Sequence, residues 1–226
     1  ITSKFGNFVA NDYMRPIIGQ PKSAFNFREV MDTSKILLVN LSKGKIGDIN
    51  SSLLGMIVTG RLLLAALSRV DMEESERKDF YLYIDEFQNV TTDSIATILS
   101  EARKYRLDLV ITHQFIGQLK EEIKKAVFGN VGSVVSFRIG TDDAEFMAKQ
   151  FKPVFEEQDL LRIDNYNAYI KLLIRGETQI PFSIKFYPPQ KGDPEIVQLV
   201  KEISRTKYGR PREEVEEEVA ARFATL

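Results

Sequence analysis

Ten consecutive residues, 80–89, constrain this chain more than any others. They read Phe-Tyr-Leu-Tyr-Ile-Asp-Glu-Phe-Gln-Asn. Five apolar or aromatic residues run without a break into two neighbouring carboxylates, Asp85 and Glu86. A continuous apolar run of this length has the pattern of a strand covered on both faces in a parallel sheet. Acids at its carboxyl end fall in the crevice where open α/β sheets bind ligands. Two carboxylates there suit a metal–phosphate site. The first can hold Mg²⁺, usually through water, and the second can orient and deprotonate an attacking water. The plainer alternative is a strand that ends at an acidic turn.

Composition removes several other chemistries. With no cysteine there are no disulfides and no thiolate metal sites. His113 is the single histidine, so a metal site built from imidazoles is not expected. The net charge of −1 gives no overall basic footprint for nucleic acid, so any DNA contact has to come from local lysine and arginine clusters. These features fit a reducing, cytoplasmic setting. The longest apolar segment, 53–67, is interrupted by Gly55, Gly60 and Arg61. It is shorter than the ~20 residues of a membrane span and reads as a buried helix, so no membrane segment is expected. No secretory leader pattern is visible. The chain starts at Ile1, and the expectation is a part of a longer protein.

Three regions are expected: an irregular lead-in over 1–34, an α/β domain over 35–189 and a helical tail over 190–226. The lead-in contains Gly6, Gly19, Pro16 and Pro21 and has one short helix near 25–31. Residues 36–41 (Ile-Leu-Leu-Val-Asn-Leu) read as a strand. A flexible, basic loop, 42–50, carries Lys43, Gly44, Lys45 and Gly47. Ser51 or Ser52 would cap a helix to about residue 70, and a charged loop fills 71–79. After the acidic strand, Thr91 and Thr92 are candidate caps and Asp93 suits the start of a helix. Ile95, Ile98, Leu99 and Ala102 mark that helix's buried face, and Arg103, Lys104 and Arg106 lie at its end. A second buried strand runs over 107–112 and is followed by His113 and Gln114. Leu119, Ile123, Ala126 and Val127 define a helix stopped by Gly129. A third core strand covers 132–139 and ends near Arg138. Thr141 would cap a helix to 151, and a short helix covers 155–163. Residues 168–187 read as an antiparallel hairpin turning at Gly176 and Glu177, with Pro181 marking an edge strand. Two helices, 193–208 and 211–223, close the chain. The alternation over 36–151 predicts a parallel, doubly wound sheet.

Four pieces, in this order and spacing, carry a resemblance: Ile-Leu-Leu-Val-Asn-Leu-Ser-Lys-Gly (36–44), Leu-Tyr-Ile-Asp-Glu-Phe (82–87), Ser-Glu-Ala-Arg-Lys-Tyr (100–105) and Val-Ile-Thr-His-Gln (110–114). The stretch from residue 35 to about 186 resembles the ATPase domain of type IV secretion and conjugation coupling proteins of the TraG/TraD kind, within the HerA/FtsK superfamily. The resemblance implies a RecA-like P-loop NTPase core: a mainly parallel sheet flanked by helices, with an antiparallel hairpin at its edge and a helical C-terminal tail. It implies that Asp85 is the Walker B aspartate supporting Mg²⁺ and that Glu86 orients the hydrolytic water. Gln114 would sense the γ-phosphate of ATP, and Arg103 would reach into the next subunit's site, with Lys104 and Arg106 as alternative fingers. Arg138 could be a second phosphate contact, although a structural role is slightly favoured, and His113 reads as a packed strand-end residue. Lys43 and Lys45 are DNA-contact candidates, because backbone tracking needs flexible cations, and their plainer reading is a solvated loop. The implied partners are DNA, further copies of the protein in a hexameric ring, and secretion-channel components. The implied place is the cytoplasm, at the inner face of the cell membrane through segments upstream.

One departure from the family is plain. The sequence contains no G-x-x-x-x-G-K-[ST] phosphate loop: Gly44-Lys45 is followed by Ile46, and Val39 stands where the first glycine belongs. This leads to the expectation of a C-terminal part of an ATP-driven DNA-translocating motor, inactive alone, with its phosphate loop upstream. The alternative is a degenerate ATPase fold serving as an adaptor in a secretion complex. A superfamily 1 helicase ranks below both, since the strand after the acids ends in Thr-His-Gln.

Overall fold

The computed structural model describes residues 11–91, 95, 99 and 101–224, apart from the side chain of 223. Thr92, Asp93, Ile98 and Gly6 lie outside the described residues. The chain divides into two units, one formed by 1–80 with 191–226 and the other by 81–190.

In the first unit, α1 (Met14–Ile18), α2 (Phe27–Asp32), α3 (Lys43–Ile46) and α4 (Asp48–Leu67) precede the two tail helices. The expected helix near 25–31 is α2, capped by Asn26, whose side chain accepts from the backbone N–H groups of Arg28 and Glu29. Residues 36–41 form no strand. Ile36 and Leu38 are 89% and 79% exposed, and among the described residues the segment has no neighbouring strand to pair with. An apolar run alone does not make a strand, which exists only through a partner's hydrogen bonds. The expected flexible loop at 42–50 is largely helical: α3 ends at Gly47, whose φ of 82° turns the chain directly into α4. Helix α4 therefore starts at Asp48 and not at a serine cap. Ser51 is buried and donates to the Leu41 carbonyl at 2.7 Å.

One face of α4, including Gly55, Thr59, Leu62 and Ala66, is buried, and the helix packs against α2 and α3. With its 3₁₀ continuation it spans Asp48–Asp71, long and apolar enough by length and composition to cross a membrane. The end of α4 is held by an ionic cluster. Asp32 accepts from Arg28 Nε at 2.5 Å and from Arg69 Nε at 3.0 Å. Arg69 is fully buried and also donates to the Lys78 carbonyl, while Arg28 reaches Asp71 at 2.7 Å.

The tail helices are α8 (Pro194–Tyr208) and α9 (Arg212–Ala224). Asp193 caps α8 by accepting from Glu195 N–H. Helix α9 buries Val215 and Val219 and packs on α1. The contact is close at Gly19, where a Cβ would meet Val219 Cγ2 at 2.6 Å.

The second unit holds β1 (Phe80–Ile84), β2 (Leu107–Ile111), α5 (Glu121–Asn130), β3 (Val134–Ser136), α6 (Thr141–Phe151) and α7 (Glu157–Leu161). It continues with β4 (Asn167–Lys171), β5 (Leu173–Ile174), β6 (Glu177–Thr178) and β7 (Phe182–Lys185). Among the described residues, the parallel pairing is confined to β1 and β2. The expected third parallel strand is the short β3, which pairs antiparallel with β4, Val135 opposite Ile170. The order β3-β4-β7 makes β7 an edge strand, and the expected hairpin is present with Ala168 opposite Ile184. Its tip is a second small hairpin, β5 with β6. Arg175 and Gly176 turn it with φ of 53° and 84°, the positive values a tight two-residue turn requires.

Strand β1 is covered on one face only. Ile84 is buried, with Leu82 packed against its cluster, whereas Tyr81 and Tyr83 are 57% and 72% exposed. Phe87, Val90, Ile95, Leu119, Ile123 and Val127 complete this core. A second cluster joins Ile116 to Met147 and Phe151 of α6 and to Leu160. Two further boundaries differ from expectation. Helix α5 continues through Gly129 to Asn130, and α6 starts after Gly140 without a Thr141 side-chain cap.

Candidate functional site

The ends of β1 and β2 form the site. The two strands run in the same direction, so the residues following each emerge together. The backbone closes the junction: Thr112 N–H donates to the Ile84 carbonyl at 3.0 Å, and Phe87 N–H donates to the Thr112 carbonyl at 2.9 Å. Phe87 is fully buried and anchors the turn after the acids.

Between Ile84 and Phe87 the chain must change direction within two residues, and Glu86 does this with φ 50° and ψ 46°. This left-handed conformation is unfavourable for a side chain with a Cβ and is held by its surroundings. A 3₁₀ turn, Phe87–Asn89, follows, and Asn89 bonds the Glu86 carbonyl through both its backbone N–H and its side chain.

The two acids face different partners. Asp85 Oδ1 accepts from Thr112 Oγ1 at 2.5 Å and from Glu86 N–H at 2.9 Å. Glu86 Oε1 accepts from Gln114 Nε2 at 2.5 Å, and Oε2 accepts from Gln88 Nε2 at 2.6 Å. The structure therefore brings Asp85, Glu86 and Gln114 into one hydrogen-bonded cluster. It adds Thr112 and Gln88, to which the sequence reading gave no role. Thr112 was accessible from the sequence: at a strand end, residues two apart share a side, so Thr112 accompanies Gln114. Gln88 was not, because its direction depends on the left-handed Glu86.

Asp85 is exposed and offers hard oxygen, which fits a hydrated Mg²⁺. Among the described residues no three acidic or imidazole side chains gather around one metal position. A cation here would therefore take its remaining ligands from water and phosphate, the usual manner of Mg²⁺ at nucleotides.

His113 sits between Thr112 and Gln114 and is half-buried. Its Nδ1 is buried with no hydrogen-bond partner. Burial pushes its pKa below the ordinary imidazole value, and the Asp143 charge opposes this. Asp143 itself is buried and accepts from Ile116 N–H at 3.1 Å. This matches a packed strand-end histidine.

The remaining predicted residues lie elsewhere. Arg103 is exposed on the 3₁₀ turn Ala102–Tyr105, which enters β2 at the end opposite Thr112 and Gln114. It is not brought to the acids of its own chain. Lys104 pairs with Glu101 at 3.5 Å, and Arg106 adopts a left-handed φ of 57°. Arg138 donates to Asn165 at 3.2 Å. Lys43 and Lys45 belong to the other unit, on α3, with Lys43 3.5 Å from Asp48.

Residues 79–151 match the family described as the TraM recognition site of TraD and TraG. The fold is similar to that of the bacterial conjugative coupling protein TrwBdeltaN70 in its unbound monoclinic form. That match has a TM-score of 0.52 at 15% identity and covers 66% of this chain and 39% of the other. The chain thus corresponds to well under half the length of that relative. No curated protein sequence matches it.

Proposed function

From a chain whose residues 79–151 form a TraG/TraD-like coupling-protein segment, we propose that it is the C-terminal part of an ATP-driven motor that moves DNA in conjugation or secretion. The observation that carries this reading is the meeting of Asp85 and Glu86 with Gln114 at the ends of two parallel strands. A site for phosphoryl transfer needs a carboxylate for the magnesium ion, a second to orient water, and an amide that can both donate to phosphate and accept from water. Those three groups are within one hydrogen-bonded cluster here. ATP with Mg²⁺ supplies the reactive phosphoanhydride and its charge neutralisation. Asp85 would hold the hydrated ion and Glu86 would orient water. Gln114, now on Glu86, would turn its amide to the terminal phosphate. Arg103, remote from its own acids, suits a contact with a neighbouring copy in a ring. The RecA-like core would be completed by a phosphate loop from a segment outside these 226 residues. DNA, other copies of the protein and a TraM-type partner protein are the partners of this reading, which places the protein at the inner face of the cell membrane.

The test is ATP hydrolysis, with and without DNA, by this chain and by a longer protein extending upstream. DNA-stimulated hydrolysis only in the longer protein, lost in Glu86→Gln, supports the motor. General-base loss should lower kcat by about 10²-fold or more. The absent phosphate loop favours a second reading, an adaptor with a degenerate ATPase fold. Absence of hydrolysis from both proteins selects it.

A further inference from the structure

Gln88 presents an anomaly that the roles above do not use. Its Nε2 donates to Glu86 Oε2 at 2.6 Å, while its own Oε1 is buried with no hydrogen-bond donor among the described residues. Buried polar atoms in folded proteins are nearly always paired, and an exception calls for a reason. The amide cannot be turned over, because Oε1 would then face a carboxylate oxygen, acceptor against acceptor. Glu86 therefore dictates the orientation of Gln88, and the fold tolerates an unpaired carbonyl to keep it. The turn leaves little freedom to escape: Phe87 is fully buried on one side, and the backbone carbonyl of Gln88 accepts from Thr91 Oγ1 at 3.3 Å on the other.

The two bonds to Glu86 differ in kind. Gln114 comes from the far strand and has a second duty at the phosphate in the reading above. Gln88 is two residues away on the same turn, so its bond to Glu86 does not depend on the register of the two strands. We propose that Gln88 is a positioning residue that fixes the rotation of the Glu86 carboxylate through Oε2, so that Oε1 remains directed at the reacting water when Gln114 leaves. This inference rests on the ATPase reading.

The test uses Gln88→Met, which keeps length and flexibility but removes both the donor and the unpaired carbonyl. In this chain, its melting temperature should equal or exceed that of the unaltered protein, because an unsatisfied buried acceptor disappears. In the longer protein that hydrolyses ATP, kcat should fall roughly 10- to 100-fold with KM for ATP unchanged, since a misdirected base impairs chemistry and not binding. A lowered melting temperature with a parallel loss of kcat overturns the proposal in favour of a structural role. Full kcat in Gln88→Met overturns it as well. If the longer protein hydrolyses no ATP, the functional reading fails and this inference falls with it. An active longer protein that is indifferent to Gln88→Met sinks this inference alone.

Discussion

Thr112 and Asp85, 27 residues apart in sequence, are joined by a 2.5 Å hydrogen bond from hydroxyl to carboxylate. The bond ties the end of β2 to the first acid of β1. It satisfies Oδ1 of Asp85 and directs the carboxylate along the sheet end.

Removing this donor should loosen the site more than the core. Thr112→Val is expected to lower unfolding free energy by roughly 1 kcal/mol, the usual net worth of a single hydrogen bond at a solvent-accessible position. Thr112→Ser should retain it. Urea denaturation of both variants checks this, and equal stability of valine and serine would remove the bond from the account.

The fully buried Arg69 guanidinium anchors the end of α4 through Asp32 and the Lys78 carbonyl. Arg69→Met should destabilise the protein by about 2–4 kcal/mol, because a buried ionic network loses its central donor while Asp32 keeps Arg28. Chemical denaturation measures it. A change below about 0.5 kcal/mol, the usual range of surface substitutions, would show that Arg69 is not central to this unit.

His113 should make stability fall in acid. Burial lowers its folded pKa below the unfolded value near 6.5. The unfolded chain therefore binds more protons between the two values, and stability rises with pH there. The contribution is complete above about pH 6.5 and is lost as pH falls through the folded pKa. As the single histidine, it gives one pair of imidazole C–H signals by proton NMR. A titration midpoint at or above that of a free imidazole would contradict the burial argument, and His113→Leu should flatten the acid dependence.

Lys43 and Lys45 flank Gly44 on α3, and the DNA-tracking reading assigns them phosphate contacts. Replacing both with alanine should weaken DNA binding alike for all sequences. The slope of log affinity against log salt should fall by about 1.5–2, as two counterions are no longer released. Fluorescence anisotropy across a salt series measures this. An unchanged slope would assign both lysines to solvated surface.

The sequence by itself determined what depends on neighbours along the chain. The apolar run meeting Asp85 and Glu86, the second strand ending before Gln114, the Asp193 cap and the hairpin turning at Gly176 all follow from local pattern and local backbone preference. The tertiary structure alone decided which runs find partners. Residues 36–41 and β1 have the same apolar character, yet among the described residues only β1 of the two has a neighbour to pair with, and only one of its faces is covered. Residues 134–136 carry the composition of a parallel core strand and pair antiparallel with β4. The same holds at the site. Residue types announced the acids and the glutamine, whereas Thr112 on Asp85 and Gln88 on Glu86 depend on strand register and on a left-handed turn. A hydrogen bond at the end of two strands is fixed by where both strands stop, and that is set by contacts distant in sequence.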